Sequence, residues 1–219
     1  MEGTFLTKPM NKELQTYIEQ EIIPRYKYFD KAHGLEHVET VIAQSLALAQ
    51  HYDVNPEMVY AIAAYHDTGL EKGRELHHIY SGEILAADPK LPQWFTSAQI
   101  AVMREAVEDH RASSDHEPRT IYGRIVAEAD RCIDPTTIVR RTVQYGIANY
   151  PELEREEQYL RCIDHLRRKY SEGGYLRLWI SESDNAPRLT QLRDLIRNEK
   201  KLRELFDKIF DLETFSEKP

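Results

Sequence analysis

Cysteine is scarce in this chain. Only Cys132 and Cys162 occur among 219 residues. They are too few for a disulfide framework and lack the paired spacing of a zinc module, so they read as reduced thiols of a reducing compartment. Long apolar runs are missing too. None approaches the ~20 residues that span a bilayer, and Met1 to Lys8 has no apolar stretch of the signal-peptide kind. A basic excess is also absent: 29 Lys and Arg stand against 37 Asp and Glu, a net charge of −8. That balance argues against a general nucleic-acid binder, which needs a basic face, although arginines can still gather at one pocket. Nothing repeats at a fixed period, and no alternating β-branched run is long enough for a sheet. These absences leave an all-α, cytoplasmic protein with no membrane partner as the expectation.

What is present is helical spacing. Leu14, Tyr17, Ile18 and Ile22 form a stripe that Pro24 should end or kink. Val38, Val41, Ile42, Leu46 and Ala49 form the next, with His37 at its start. Asn55-Pro56 reads as a cap with proline at the first helical position, opening a helix that runs to His66-Asp67 and stops near Gly69. Ser81 to Ala86 makes a short helix, and Thr96 to Gln99 has capping-box spacing ahead of Ile100, Met103 and Val107. Ile121 to Ala129 and the helix opened by Asp134-Pro135 follow. Two charged helical stretches, Glu154 to Tyr170 and Leu189 to Leu212, close the chain, with Ser181 to Pro187 as the linker candidate. One all-α domain over 1–219 is expected, with a core of about 30–145 and a C-terminal helical extension of about 150–215.

The chemistry-bearing residues sit at helix edges. His37, His66, Asp67, His78, His110 and Asp130 each border an apolar stripe. Singly, each reads as a satisfied core or surface residue. Together, near the buried side of successive helices, they can face one cavity, where a shared cation would satisfy them at lower cost than burial without partners. His66 and Asp67 are neighbours whose side chains point about 100° apart on a regular helix. They can serve one ligand only if the helix ends there.

The segments His37-Val38-Glu39-Thr40-Val41, His66-Asp67-Thr68-Gly69 and Ala127-Glu128-Ala129-Asp130 resemble the ordered H…HD…D motif of the HD-domain superfamily of metal-dependent phosphohydrolases. His78-Ile79-Tyr80-Ser81-Gly82-Glu83-Ile84-Leu85 is similar to the H-x-x-x-G-x-x-L segment of members that hold two metals, and Glu108-Asp109-His110 supplies their next histidine. The resemblance runs from about His33 to about Arg140. It implies an HD-type helical bundle with additional C-terminal helices, and two divalent ions drawn from Fe, Mn, Co, Zn or Mg. His37, His66 and Asp130 would serve one ion, His78 and His110 the other, and Asp67 would bridge them. A metal-activated water would then attack a phosphate ester or phosphoanhydride in a small phosphorylated substrate, with nucleotides among the candidates.

The resemblance leaves the grip on the substrate open. Many members carry lysine in an HD-x-x-K turn, and Leu70 stands there instead. Lys72, Arg74, Arg111 and Arg131 are the substrate-binding candidates, with Asp67, His33 and Arg131 as catalytic candidates. The Gly-Tyr-Pro signature of cyclic-dinucleotide phosphodiesterases is missing after His110. Two alternatives share the same ligands: an HD-fold mixed-valent di-iron oxygenase, and a non-catalytic nucleotide- or metal-binding module. The apolar stripe from Leu192 to Phe210 either packs within the chain or forms a homodimer face.

Overall fold

A computed structural model describes residues 10–114 and 116–215. Every regular element among them is helical and no strand occurs, so the chain is all-α. No helix among the described residues is long and apolar enough to cross a membrane. The chain parts into two compact units, one of residues 1–132 with 179–183, the other of residues 133–178 with 184–219.

In the first unit, α1 (Lys12–Tyr17) is capped by Asn11, whose side chain accepts from the backbone N–H groups of Glu13 and Leu14. It continues as a π-helical stretch, Ile18–Ile22, and then a 3-10 stretch, Ile23–Tyr28, that contains Pro24. The proline therefore tightens the helix instead of ending it. α2 (Leu35–Ala49) carries His37 in its first turn. α3 (Pro56–Tyr65) opens with Asn55 accepting from Glu57 N–H and is buried from Met58 through Tyr65 on every side. A helix apolar all round belongs at the centre of its unit. Around it pack α2, α4 (His77–Ala87), α5 (Ser97–Glu108) and α6 (Ile121–Arg131). The capping box of Thr96 and Gln99 is formed as its spacing predicts.

The C-terminal end of α6 is marked by Cys132, whose φ of 40° lies in the left-handed region. Residues 179–183 return to this unit as a strap. The fully buried Glu128 carboxylate accepts from Trp179 N at 2.6 Å, Ile180 N at 3.4 Å and the Ser183 hydroxyl. Ile180 joins the apolar core. The linker expected over Ser181 to Pro187 is thus partly strap and partly the first turn of the next helix.

The second unit contains α7 (Pro135–Asn149), α8 (Arg155–Tyr170), α9 (Asn185–Arg197) and α10 (Glu199–Phe215). The stretch read as one helix to Leu212 breaks at Asn198. Leu192, Ile196, Leu202, Phe206 and Ile209 are all buried within this unit, which favours internal packing for that stripe.

Candidate metal centre

The centre begins where α3 stops. His66 still has helical dihedrals, but Asp67 moves to φ −109° and ψ 4°, the sparsely populated bridge region. That change swings the Asp67 carboxylate toward the His66 ring, with Oδ2 3.2 Å from Nε2. Tyr26 holds the helix end. Its buried hydroxyl donates to the Ala64 carbonyl at 3.0 Å and accepts from Asp67 N–H at 3.1 Å. A 3-10 turn, Thr68–Lys72, follows and lies against α4. Gly69 is required there, because a Cβ would stand 2.1 Å from the His77 carbonyl oxygen and 2.5 Å from Ser81 N. In that space Gly69 N–H donates to Ser81 Oγ at 2.8 Å.

Two sets of donor atoms converge on the two oxygens of Asp67. Around Oδ2 lie His66 Nε2 and, at 3.5 Å, His37 Nε2. The two imidazole nitrogens are 3.2 Å apart, and Asp130 Oδ1 lies 3.3 Å from His37 and 3.9 Å from His66. Around Oδ1 lie His77 Nε2 and His110 Nε2, each at 3.4 Å and 3.2 Å from each other.

The hydrogen bonds behind the rings decide what these atoms can hold. His66 Nδ1 lies 2.7 Å from the Ala63 carbonyl, His77 Nδ1 2.8 Å from that of Arg74, and His110 Nδ1 2.6 Å from that of Val107. A carbonyl only accepts, so each Nδ1 carries the hydrogen, which leaves each inward-facing Nε2 as the nitrogen that can bind a metal. Bare imidazole nitrogens and carboxylate oxygens crowded to 3.2–3.4 Å repel unless a cation sits among them. This backing of ring nitrogens by carbonyls is the usual support of histidine metal ligands. Both the set of His37, His66 and Asp67 and the set of Asp67, His77 and His110 can hold a metal ion.

Comparison with protein families matches residues 34–133 to the HD domain. The match takes in every residue of both donor sets. The match spans just under half of the chain, and the superfamily is one of metal-dependent phosphohydrolases. Neither the curated proteins nor the solved structures contain a match.

Electrostatically, the two donor sets differ. Burial alone would lower His37, but the Asp130 and Asp67 carboxylates outweigh it and lift the ring to about 9. For His77, burial and then the neighbouring His110 push the ring down to about 4. His110 is raised, its burial outweighed by the Asp67 carboxylate. Burial opposes ionisation of Asp67 and Asp130, yet the surrounding imidazoles hold both well below the usual carboxylate range.

Of the six expected ligands, the structure gathers His37, His66, Asp67, His110 and Asp130. It brings His77 to them and not His78. The His78 ring stands beside that of His77, centroids 5.6 Å apart, with its Nδ1 buried and unpartnered. α4 starts four residues before the expected Ser81, and the contact of Gly69 with Ser81 N–H and the His77 carbonyl sets which histidine turns inward. Arg131 is buried, and its Nη1 donates to the His110 carbonyl at 2.9 Å while standing 3.8 Å from Asp130 Oδ2. It braces a residue of each donor set.

The remaining candidates lie further out. His33 Nδ1 donates to Asp30 Oδ1 at 2.8 Å, and its ring meets that of His37 edge to face at 5.7 Å. Asp30, its carboxyl brought down to about 2 chiefly by that bond, also pairs with Arg74 at 3.4 Å. Lys72 lies over the Tyr80 ring at 5.2 Å. Arg111 donates to the Glu75 carbonyl at 2.6 Å. Sequence reasoning missed Tyr26 and Glu128. Their partners are 38 to 55 residues away, and no local pattern marks a single buried polar side chain of that kind.

Proposed function

We propose that the HD domain binds two divalent cations and hydrolyses a phosphate ester or phosphoanhydride of a small phosphorylated molecule. The observation that carries this reading is the division of Asp67, with Oδ2 on one pair of histidines and Oδ1 on another. A carboxylate shared in that way suits a bridge between two ions. In the proposal His37, His66, Asp67 and Asp130 hold the first cation, and Asp67, His77 and His110 the second. Bound there, the cations supply Lewis-acid activation of a water and neutralise charge on the phosphoryl oxygens.

The chain's own residues do the rest. The carbonyls of Ala63, Arg74 and Val107 fix the ring tautomers, so no reorganisation is needed when ligands engage. Arg131 keeps His110 and Asp130 in register. His33, anchored to Asp30, carries a proton to the leaving oxygen. Lys72 and Arg74, on the 3-10 turn and just after it, contribute positive charge to the approach of an anionic substrate.

The test is phosphate release from a panel of nucleotides and other phosphate esters by protein loaded with each of Fe, Mn, Co, Zn and Mg. Release that depends on added metal and vanishes in Asp67→Ala is expected. A mixed-valent di-iron resonance in aerobically purified protein, with no phosphate released under any metal, would overturn the reading in favour of oxygenase chemistry on the same ligands.

A further inference from the structure

Beside the second donor set is a cavity of about 620 Å³ that the ligands do not use, lined in part by His78, Asp109, Arg111, Ser113, Ser114 and Arg119. Its volume suits a small metabolite. The wall and the centre share two short pieces of chain: His78 follows His77, and Asp109 and Arg111 flank His110. The His77 and His78 rings are 5.6 Å apart, and His78 lines the cavity.

Charge decides what such a cavity can take. Its acidic residues are already matched. Asp109, buried, accepts from the backbone and Nε of Arg119. Glu108 pairs with Arg104 and Arg119, and Glu117 with Arg124. Arg111 is the exception: among the described residues no carboxylate pairs with it, and its one hydrogen bond, to the Glu75 carbonyl, fixes the direction of the side chain. A guanidinium has five N–H donors, so most of its capacity is left for a ligand. Ser113 and Ser114 add hydroxyls, and His78 adds a buried Nδ1 with no partner. Among the described lining residues there is no Phe, Tyr or Trp, so the cavity's planar surfaces are imidazoles and guanidinium groups.

We infer that this cavity binds a second anionic group of the substrate, a phosphate or carboxylate joined to the reacting phosphate by a short hydroxylated linker, with Arg111 as its anchor. The inference rests on the phosphohydrolase reading and narrows its substrate to doubly anionic phosphate esters.

Calorimetric titration of the metal-loaded full chain with three probes tests it: a hexose 6-phosphate, a hexose 1,6-bisphosphate and 6-phosphogluconate. Both two-anion probes should bind at least about tenfold more tightly than the monophosphate, the scale of one hydrogen-bonded charge pair. Arg111→Ala should erase that preference and Arg111→Lys should keep part of it. The tighter of the two-anion probes identifies the second group as phosphate or carboxylate. Equal affinity for all three, or a preference that survives Arg111→Ala, overturns the inference. Phosphate release measured in the same samples separates the two claims. Hydrolysis without preference removes the anion site alone, whereas preference without hydrolysis removes the phosphohydrolase reading alone.

Discussion

The two donor sets that share Asp67 are built from the same residue types yet differ in enclosure and charge. The set of His37, His66 and Asp130 rests on α2, the end of α3 and α6, with two carboxylates among four groups. The set of His77 and His110 rests on α4 and the end of α5 and has only the shared carboxylate. The first holds His37 charged in the absence of a cation, while the second keeps His77 neutral. A cation entering the first set at neutral pH must displace a proton, and one entering at His77 need not. The comparison teaches that a shared bridge does not make the two positions equivalent.

Removing the bridge should have the largest effect. Asp67→Ala deprives both sets, and metal content and turnover should fall by more than about 100-fold, the upper end of what a merely supporting partner costs. Metal analysis and circular dichroism would check it, with the helical signal retained. The next largest effect separates adjacent histidines. His77→Ala should lower the bound metal from two ions to one and leave the first set filled, whereas His78→Ala should leave both ions bound. Metal retained in His77→Ala but lost in His78→Ala would return the second position to the ligand expected from the sequence.

Protons sharpen the comparison further. With His37 raised from 6.5 to about 9 in the folded, metal-free protein, its contribution to stability is full below about 6.5 and is lost as pH rises through about 9. His77, lowered from 6.5 to about 4, works in the opposite sense: its contribution is present above about 6.5 and is lost as pH falls toward about 4. Thermal melts of metal-free protein between pH 4 and 9 should therefore lose the alkaline slope in His37→Gln and part of the acid slope in His77→Gln. The smallest effect on metal binding belongs to Glu128, which reaches only the first set, through α6 and Asp130. Glu128→Ala strands the N–H groups of Trp179 and Ile180, so denaturant melts should show a loss of about 2–4 kcal/mol. Metal affinity should weaken at the first position alone, and Glu128→Gln should recover much of both.

Much of this was legible in the sequence, and the limits have physical causes. The Asn55-Pro56 start, the Thr96 to Gln99 capping box and the Asp134-Pro135 start announce themselves, because caps are local chemistry. His37, His66, Asp67, His110 and Asp130 could be read from their places beside apolar stripes. The choice between His77 and His78 could not. Neighbouring residues satisfy nearly the same spacing, and what separates them is the approach of Gly69 to α4. Arg131 read as a substrate-binding and catalytic candidate, and its bond to the His110 carbonyl was not legible because that carbonyl is 21 residues away. The break at Asn198 and the tightening around Pro24 were likewise invisible to periodicity, since the apolar residues keep their spacing through both.

Tyr26 precedes the matched residues 34–133, and the strap of residues 179–183 follows them, yet both are tied to the elements that carry ligands. The unit of inheritance and the unit of assembly therefore have different ends in this chain. A fragment cut at the family boundaries would keep every residue of the two donor sets and lose the hydroxyl that secures the turn at Asp67, together with the three donors that seat the Glu128 carboxylate. Transplanting this centre into another scaffold would mean carrying those flanks along.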